Sequence, residues 1–435
     1  MTQICCGTTH RQIRSGNCPW CHLFLPVNQT DRRLTSHILD ATWWDVSRML
    51  VDLGDEVGKE ERLTTAANLA DHLEVESLEE ALPALDKAVN DPLEEVRELA
   101  QQAFFRLARS AKIEQIAHYE KNLRQNPGDL VMLRLVLVLY FKYRLESEEI
   151  NVIRQQQILQ VIATIPGSDL AAPPLALLSP HLDDAAFDQA KALWITQVDQ
   201  NINSAPVIGN AAKFVELYDA SLSEEWFRRC VHLEPGNPKW RWCLGNLYKR
   251  KGRRPSSEPE TDWLAVSLSQ FEKSLELAPE NSTWSKLAWP SVAKAAFDAG
   301  EIHKARFYAE ELIARGRQPW EINTRNNNFV RGRFLHQGNL ILGRLALAKG
   351  DREEATRRLM LAITPPVNDP LILIPETGPN ASLANDLLHA GERDCVVQFF
   401  QQGAPLWTTG RDVLARWITD VQNGKIPKFG ANLTY

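Results

Sequence analysis

The sequence predicts an all-α fold: a solenoid of helix pairs with a small N-terminal zinc-binding segment. Two observations lead to this prediction. Between residues 237 and 363 one helix-pair pattern occurs three times, and a single pair cannot bury its apolar face alone, so the copies are expected to stack. Four of the seven cysteines also lie within residues 1–22, at spacings that suit a tetrahedral metal site.

The composition is ordinary for a soluble globular protein. Of the 435 residues, 44% are apolar and 24% are charged, which argues against overall disorder. A formal net charge of −6 is mild for this length, so nucleic acid is not an expected partner. Residues 1–20 contain no secretory apolar stretch, and the apolar run 130–141 is too short to cross a bilayer. We expect a cytoplasmic protein without membrane contact and a buried helix at 130–141.

The N-terminal segment is the candidate metal site. Residues 18–21 read C-P-x-C, the tight knuckle whose backbone N–H groups point at a metal-bound thiolate. One structural zinc ion would need four N or S ligands. The expected ligands are Cys6, His10, Cys18 and Cys21, with Cys5 and His22 as alternates. The segment resembles small zinc-ribbon-like knuckles, although its first half reads C-C-G-x-x-H. A disordered tail with reactive thiols and a redox dithiol at Cys18 and Cys21 are the alternatives.

A second pattern precedes the three-copy repeat. The run from Asp91 to Arg97 resembles a HEAT repeat. The resemblance implies that Asp91 and Arg97 tie the turn between two helices, while Val96 and Leu107 pack between the helices. From 113 to 198 the sequence is helical but irregular, and we expect two or three degenerate helix pairs there.

The three-copy repeat has small residues where two helices must approach closely. These residues are Gly245, Ala293 and Gly343, and the second and third copies share a turn that begins at Gly300 and Gly350. The pattern resembles the tetratricopeptide repeat (TPR), and a weaker copy lies upstream of residue 237. With residues 336–347, 378–384 and 429–435, the chain resembles a group of bacterial TPR proteins of unknown role. The resemblance implies an α-solenoid whose concave surface binds a protein or peptide.

These patterns divide the chain into five expected segments. They are a zinc-knuckle-like segment at 1–24, a linker and capping helix at 25–60, HEAT-like and degenerate repeats at 61–200, TPR repeats at 201–365, and a C-terminal helical cap at 366–435. In the last segment, helices are expected at 382–390, 394–402 and 411–422, with the tail folded back. The basic run 249–254 and the stretch 321–333 are expected to be solvated loops.

No common signature of nucleotide, hydrolase or zinc-protease chemistry occurs in the sequence. The histidines at 232, 303, 336 and 389 are scattered over repeat positions, where surface or groove positions are expected rather than catalytic ones. Ten of the thirteen tryptophans lie at or beyond Trp194. In helical repeats such residues usually fill the space between helices, and an aromatic ligand cage is the alternative.

The function expected from these observations is a non-enzymatic scaffold or adaptor that binds a protein or peptide, possibly an acidic one. The alternatives are a nucleic-acid-associated regulatory factor that uses the knuckle and the basic run, and an enzyme or modifying subunit with a site in the concave groove. Lysine, arginine and asparagine suit an acidic segment or a terminal carboxylate. The expected partner-binding residues are Lys239, Asn246, Lys249, Lys286, Lys294, His336, Asn339 and Arg344.

Overall fold

The structure is a computed structural model. It describes residues 16–17, 24–25, 62–63, 65–67, 78–253, 261–318, 325–365, 378–407 and 410–433. The chain divides into two compact units, 1–143 and 144–435. In the first unit, two-residue strands β1 (Gly16–Asn17) and β2 (Phe24–Leu25) pair antiparallel.

Helices make up most of the described first unit. They are α1 (Leu78–Val89), α2 (Glu94–Ser110), a 3-10 turn (Ile113–Gln115), α3 (Ile116–Gln125) and α4 (Leu130–Tyr143). Helix α4 packs against α1, α2 and α3. Its residues 131–140 are buried, so the predicted buried helix is confirmed. Arg134 is buried with them, and its guanidinium lies 5.8 Å from the centre of the Phe104 ring.

The turn between α1 and α2 is tied by the two residues that the HEAT resemblance selected. The buried Asp91 carboxylate accepts a hydrogen bond from the Leu93 N–H at 2.7 Å. Arg97 Nη1 donates to the carbonyl oxygen of Asp91 at 2.6 Å. The arginine therefore holds the turn through a backbone carbonyl group. Val96 and Leu107 are fully buried, as the resemblance implies.

The second unit contains α5 to α17. They are α5 (Glu148–Thr164), α6 (Asp184–Gln200), α7 (Ala205–Val215), α8 (Ala220–Leu233), α9 (Pro238–Gly252), α10 (Trp263–Leu277), α11 (Thr283–Asp298), α12 (Ile302–Arg317), α13 (Arg325–Ala348), α14 (Arg352–Leu361), α15 (Ser382–His389), α16 (Arg393–Gly403) and α17 (Arg411–Gln422). Each helix from α5 to α16 contacts the next one, and α9, α11, α13 and α15 also contact each other in order. This contact order is compatible with a helical solenoid.

Buried serines and glycines bring the helices of a pair together. A Cβ atom on Gly245 would lie 2.7 Å from the Phe271 ring of α10, so only glycine permits this separation. Ser267 Oγ of α10 donates to the Gly245 carbonyl oxygen at 2.7 Å. In the preceding pair, Ser223 Oγ of α8 donates to the Ala212 carbonyl oxygen of α7 at 3.0 Å.

One turn recurs along the second unit. Gly300 and Gly350 have φ values of 73° and 81°, the left-handed conformation that glycine adopts without strain. In both turns the next N–H donates to a carbonyl oxygen of the preceding helix, at 2.9 and 3.0 Å. Gly391, with φ of 91°, repeats the arrangement between α15 and α16. The predicted three helices after residue 378 are confirmed, and the first two of them are joined by this same kind of turn.

The C-terminal tail folds back, as predicted. The Ala381 N–H donates to the Asn432 carbonyl oxygen at 2.8 Å. Phe429 is buried against Phe400 and Trp417, at ring-centre distances of 5.9 and 5.0 Å. Core packing is also confirmed for Trp194, which is fully buried in α6.

Two predicted loops are helical. Helix α9 continues through residues 249–252, so that part of the basic run is the last turn of a helix. Helix α13 begins at Arg325, so most of the stretch 321–333 is also helical. Its polar residues Asn328 and Arg331 are buried, at 8% and 6% exposure. Tertiary burial therefore overrides the low helix propensity of the asparagines.

Candidate functional site

The candidate site is the side of α9, α11 and α13 that points away from their partner helices α10, α12 and α14. On α13, Gly338 faces Ala309 of α12, and Gly343 faces Arg358 of α14. The opposite side of α13 carries Arg333, Gln337 and Arg344, which lie within about 40° of one another at 3.6 residues per turn. We call the corresponding side of the three helices the first-helix face. Its polar residues are Asn246, Arg253, Lys294, Asp298, Arg333, Gln337 and Arg344, and Lys249 lies at its edge, where the ammonium group also meets the Phe271 ring of α10.

Direct contacts join α9 to α11 along this face. Trp242 Nε1 donates to Ser291 Oγ at 3.2 Å. Further along, Arg253 Nη2 lies 3.1 Å from Asp298 Oδ2. The same carboxylate accepts an ion pair from Lys294, one helical turn before it. The two helices are thus joined at both ends, and their cations lie around one carboxylate.

Helix α13 is joined to α11 in a similar way. Gln337 Nε2 donates to the Pro290 carbonyl oxygen at 2.6 Å. Pro290 lies inside α11, which runs unbroken from Thr283 to Asp298. The Arg344 guanidinium lies 4.4 Å from the centre of the Phe297 ring. Its Nε donates to Asp386 Oδ2 of α15 at 2.6 Å.

Lys249 lies at the centre of the positive charge. Its ammonium group donates to Asn246 Oδ1 at 2.9 Å and lies 5.9 Å from the Phe271 ring centre. Within the part of the chain that the structure describes, it forms no ion pair. Burial, and then the cations Arg253, Arg250 and Lys294, lower its pKa to about 8. The environment therefore favours an anion beside this ammonium group.

Burial also affects two further cations of this face. Burial lowers the pKa of Lys294, and the neighbouring Asp298 offsets part of that effect. Burial also lowers the pKa of Arg333. Arg333 forms neither a hydrogen bond nor an ion pair to any of the described residues. The face thus carries five cations and contacts two carboxylates. They are Lys249, Arg253, Lys294, Arg333 and Arg344, and Asp298 and Asp386.

Six of the eight predicted partner-binding residues are half-buried on α9, α11 or α13. They are Lys239, Asn246, Lys249, Lys286, Lys294 and Arg344. The Lys239 ammonium lies 4.5 Å from the centre of the Trp240 ring. Lys286 Nζ donates to Asn327 Oδ1 of α13 at 3.4 Å.

The other two predicted residues, His336 and Asn339, are interior. They are only 6% and 4% exposed. His336 Nδ1 lies 2.7 Å from the Ala362 carbonyl oxygen, and Nε2 accepts from the Asn380 N–H at 3.3 Å. Asn339 Oδ1 accepts from Arg358 Nη1 of α14 at 3.1 Å. Both lie on the side of α13 that faces α14, so they hold the array together and are withdrawn from the first-helix face.

Sequence reasoning missed Arg253 and Arg333. Arg253 follows the last turn of α9, in a run that was expected to be a loop. Arg333 lies eleven residues before Arg344, a spacing of i, i+4 and i+11 with Gln337 that places all three on one helix side. This spacing indicates one helix side, but the stretch 321–333, which contains Arg333, is predicted to be a loop.

The basic run is largely neutralised by its own unit. Arg250 forms an ion pair with Glu216. Lys251 Nζ lies 2.5 Å from Glu224 Oε2 and 4.3 Å from the Trp263 ring centre. The expected solvated loop is therefore wrong for residues 249–252. These two cations tie α9 to α7 and α8 and contribute little to an external field.

The predicted zinc ligands at positions 5, 6, 10, 18, 21 and 22 lie outside the described residues. Within the described ranges, no group of three or more His, Cys, Asp or Glu side chains suits a metal ion. Burial raises the pKa of the Cys230 thiol to about 12, so this thiol remains protonated. The histidines at 232, 303 and 389 are exposed, as expected.

A cavity of about 260 Å³ lies beside α5, lined by residues that include Arg144, Glu148, Arg154 and Asp183. Two of its charged lining residues, Arg154 and Asp183, are paired with each other. Arg154 Nη2 pairs with Asp183 Oδ1 at 2.9 Å, and its Nη1 donates to the Leu177 carbonyl oxygen at 2.6 Å. Through these contacts Arg154 holds the irregular segment before α6 in place, so the ion pair has a structural role.

No described helix is both long and apolar enough to cross a membrane. No protein-family model matches the chain, and a search of the curated proteins finds no match.

Proposed function

We propose that this protein is a non-enzymatic interaction scaffold of the TPR type, which binds an acidic segment of a partner protein on its first-helix face. The repeat assignment draws support from the helix-pair contacts. Gly245 and Ser267 make the close approach that the repeat pattern requires. The left-handed glycine at residues 300 and 350 supports the same assignment.

The observation that carries the binding proposal is the excess of positive charge on the first-helix face. A charge-assisted hydrogen bond to a carboxylate is roughly twice as strong as a neutral one. Half-buried cations are also screened less by salt than exposed ones. Lys249 forms no direct ion pair with the described residues, although the Asp298 carboxylate acts on it from a longer distance, so an acidic side chain of a partner would pair with it directly.

The nucleic-acid alternative has less support. Of the basic run, Arg250 and Lys251 are occupied by Glu216 and Glu224. A phosphate would have to displace those carboxylates, at the cost of the contacts that hold α9. The enzyme alternative gains no support from the described residues, because the titratable groups of the first-helix face are cations and their paired carboxylates.

The proposal is tested by affinity capture from the source organism, followed by mass spectrometry. The face variant combines Arg344→Glu, on the face, with Lys286→Glu, in the first turn of α11, where Lys286 contacts Asn327 of α13. The matched control combines Arg317→Glu with Lys425→Glu, two exposed cations outside the face that undergo the same change of charge. A partner captured by wild type and by the control, but lost with the face variant, is the expected result. Equal capture by all three proteins would contradict the proposal.

A further inference from the structure

We propose that the first-helix face binds an extended peptide carrying two acidic groups about five residues apart, one at the Lys249–Lys294–Arg344 cluster and one at Arg333. This inference rests on the proposed function and specifies the ligand of the same face. Arg333 is the second anchor and is separate from the cluster.

Arg333 has the properties of an anchor for an anion. It is half-buried on α13, and it has no hydrogen-bonding or ionic partner among the described residues. A guanidinium cannot lose its charge in a protein, and leaving it partly desolvated without a partner is costly. Arg344 on the same side of α13 is paired with Asp386. The contrast marks Arg333 as the position that an external carboxylate would complete.

The first anchor is composed of cations from three helices. Lys249 belongs to α9, Lys294 to α11 and Arg344 to α13. Asp298 forms an ion pair with Lys294, and Asp386 forms one with Arg344. The Lys249 ammonium group donates a hydrogen bond to the amide oxygen of Asn246. A carboxylate entering here would meet positive charge on several sides.

The helix sets the spacing between the two anchors. Arg333 and Arg344 are eleven residues apart on one side of α13. At about 1.5 Å per residue this is roughly 16 Å along the helix axis. An extended peptide advances about 3.3 Å per residue, so roughly five residues span that distance. Gln337 lies between the anchors, and its Oε1 has no partner among the described residues, so it can accept a peptide N–H.

The face favours a peptide over a nucleic acid. Asp298 and Asp386 lie among the cations, and each would repel a phosphate of a continuous polyanion. A peptide brings only one carboxylate near these two aspartates, at the cluster of cations, whereas a continuous polyanion would bring several charges along the whole face. The amide oxygen of Gln337 also suits a peptide backbone, because a phosphodiester backbone has no donor for it.

The test uses the full chain and synthetic peptides of equal length, net charge and composition. Each is a fluorescein-labelled Gly/Ser peptide with two glutamates, separated by two, five or eight positions, and binding is measured by fluorescence anisotropy. We expect the five-residue spacing to bind most tightly. Arg333→Gln should weaken that peptide about tenfold, which corresponds to about 1.4 kcal/mol. With a one-glutamate peptide the loss caused by Arg333→Gln should be smaller, because the cluster remains available to the single glutamate.

The control variant is Arg317→Gln, which removes an exposed arginine from α12 and should leave all affinities unchanged. Arg333→Lys should retain part of the spacing preference, since a charge remains. Thermal unfolding should be nearly unaffected by Arg333→Gln, because no described contact is lost.

Three outcomes would overturn the inference. They are affinities that do not depend on glutamate spacing, an equal loss with Arg317→Gln and Arg333→Gln, and tighter binding of a single-stranded oligonucleotide than of any peptide. The scaffold proposal fails separately, when the charge-reversal variant at Lys286 and Arg344 still captures the cellular partner. A protein could pass that test and still show no spacing preference.

Discussion

Gly338 gives the sharpest test of how the second unit is packed. Replacing it with alanine adds one Cβ atom to the middle of α13. That atom would lie 2.7 Å from the Ala309 carbonyl oxygen, 2.8 Å from Ile313 Cγ1 and 3.3 Å from Leu312 Cβ. The nearest obstacle belongs to the α12 backbone, which cannot rotate away as a side chain can. Helices α12 and α13 would have to separate.

Two opposing effects set the magnitude. Alanine is favoured over glycine inside a helix by about 1 kcal/mol. Overpacking a well-packed interior costs typically about 1–3 kcal/mol, and a contact with backbone at this distance belongs at the upper end. We therefore expect Gly338→Ala to destabilise the protein by about 2 kcal/mol, although propensity alone predicts stabilisation.

The assay is denaturant unfolding followed by circular dichroism, with amide hydrogen exchange of α12 and α13 as a local measure. The control is Gly236→Ala, because a Cβ atom there meets nothing within 4 Å, and its effect should stay within about 0.5 kcal/mol. A Gly338→Ala protein as stable as wild type, or more stable, would refute the packing argument.

Three further predictions concern packing and charge, and one concerns the metal. Gly343→Leu should cost several kcal/mol, on the order of 3 or more, because a Cβ there already lies 2.3 Å from Leu383 Cδ2; the midpoint of unfolding measures it, and an unchanged midpoint would contradict it. Burial lowers the pKa of His336 below the value of about 6.5 that the residue has in the unfolded chain. The neutral imidazole therefore contributes stability above about pH 6.5, and this contribution is lost as the pH falls through the folded pKa. In His336→Gln, the free energy of unfolding should depend less steeply on pH on the acid side. Because the pKa of Lys249 is lowered to about 8, binding of the glutamate peptides should weaken as pH rises through 8, and a pH-independent affinity would exclude Lys249 from the contact. Freshly purified protein should contain about one zinc per chain, which Cys18→Ser should release without unfolding the helices; metal analysis without zinc would remove this prediction.

The helices of the second unit could be predicted because their signals are local. A side chain at Gly245 would clash with Phe271, and one at Gly343 would clash with Leu383. The repeat therefore requires a small residue at this position, and that residue can be recognised in the sequence. The turn at Gly350 is local as well, since its left-handed φ of 81° selects glycine. These small residues and glycine turns recur at the same positions in successive copies, so each copy predicts the same helix pair.

The ends of α9 and the start of α13 could not be predicted because tertiary partners decide them. Arg250 and Lys251 look like a solvated basic run until Glu216 and Glu224 are placed opposite them. These carboxylates belong to other helices, 34 and 27 residues earlier in the chain. No local pattern reports such a pairing.

The expected partner-binding residues stay a prediction, but the burial of two of them shows that they lie on an interior side of α13. Consecutive residues are separated by about 100° around a helix, so a small error in the assumed direction of the neighbours moves a residue from the surface to the interior. His336 and Asn339 face α14 and are buried, whereas Arg333 and Gln337 face away from it. Which side of α13 is open depends on where α12 and α14 pack.

The net charge of −6 does not conflict with an acidic ligand, because a bound carboxylate responds to nearby charges. The Debye length is about 8 Å at physiological ionic strength, so acidic groups elsewhere on the surface are largely screened from the first-helix face. Lys249 and Lys294 are half-buried, and their field is screened less than that of exposed groups. The affinity for a glutamate peptide should therefore fall less steeply with salt than expected for exposed cations. A variant that adds acidic residues far from the face should leave this affinity unchanged.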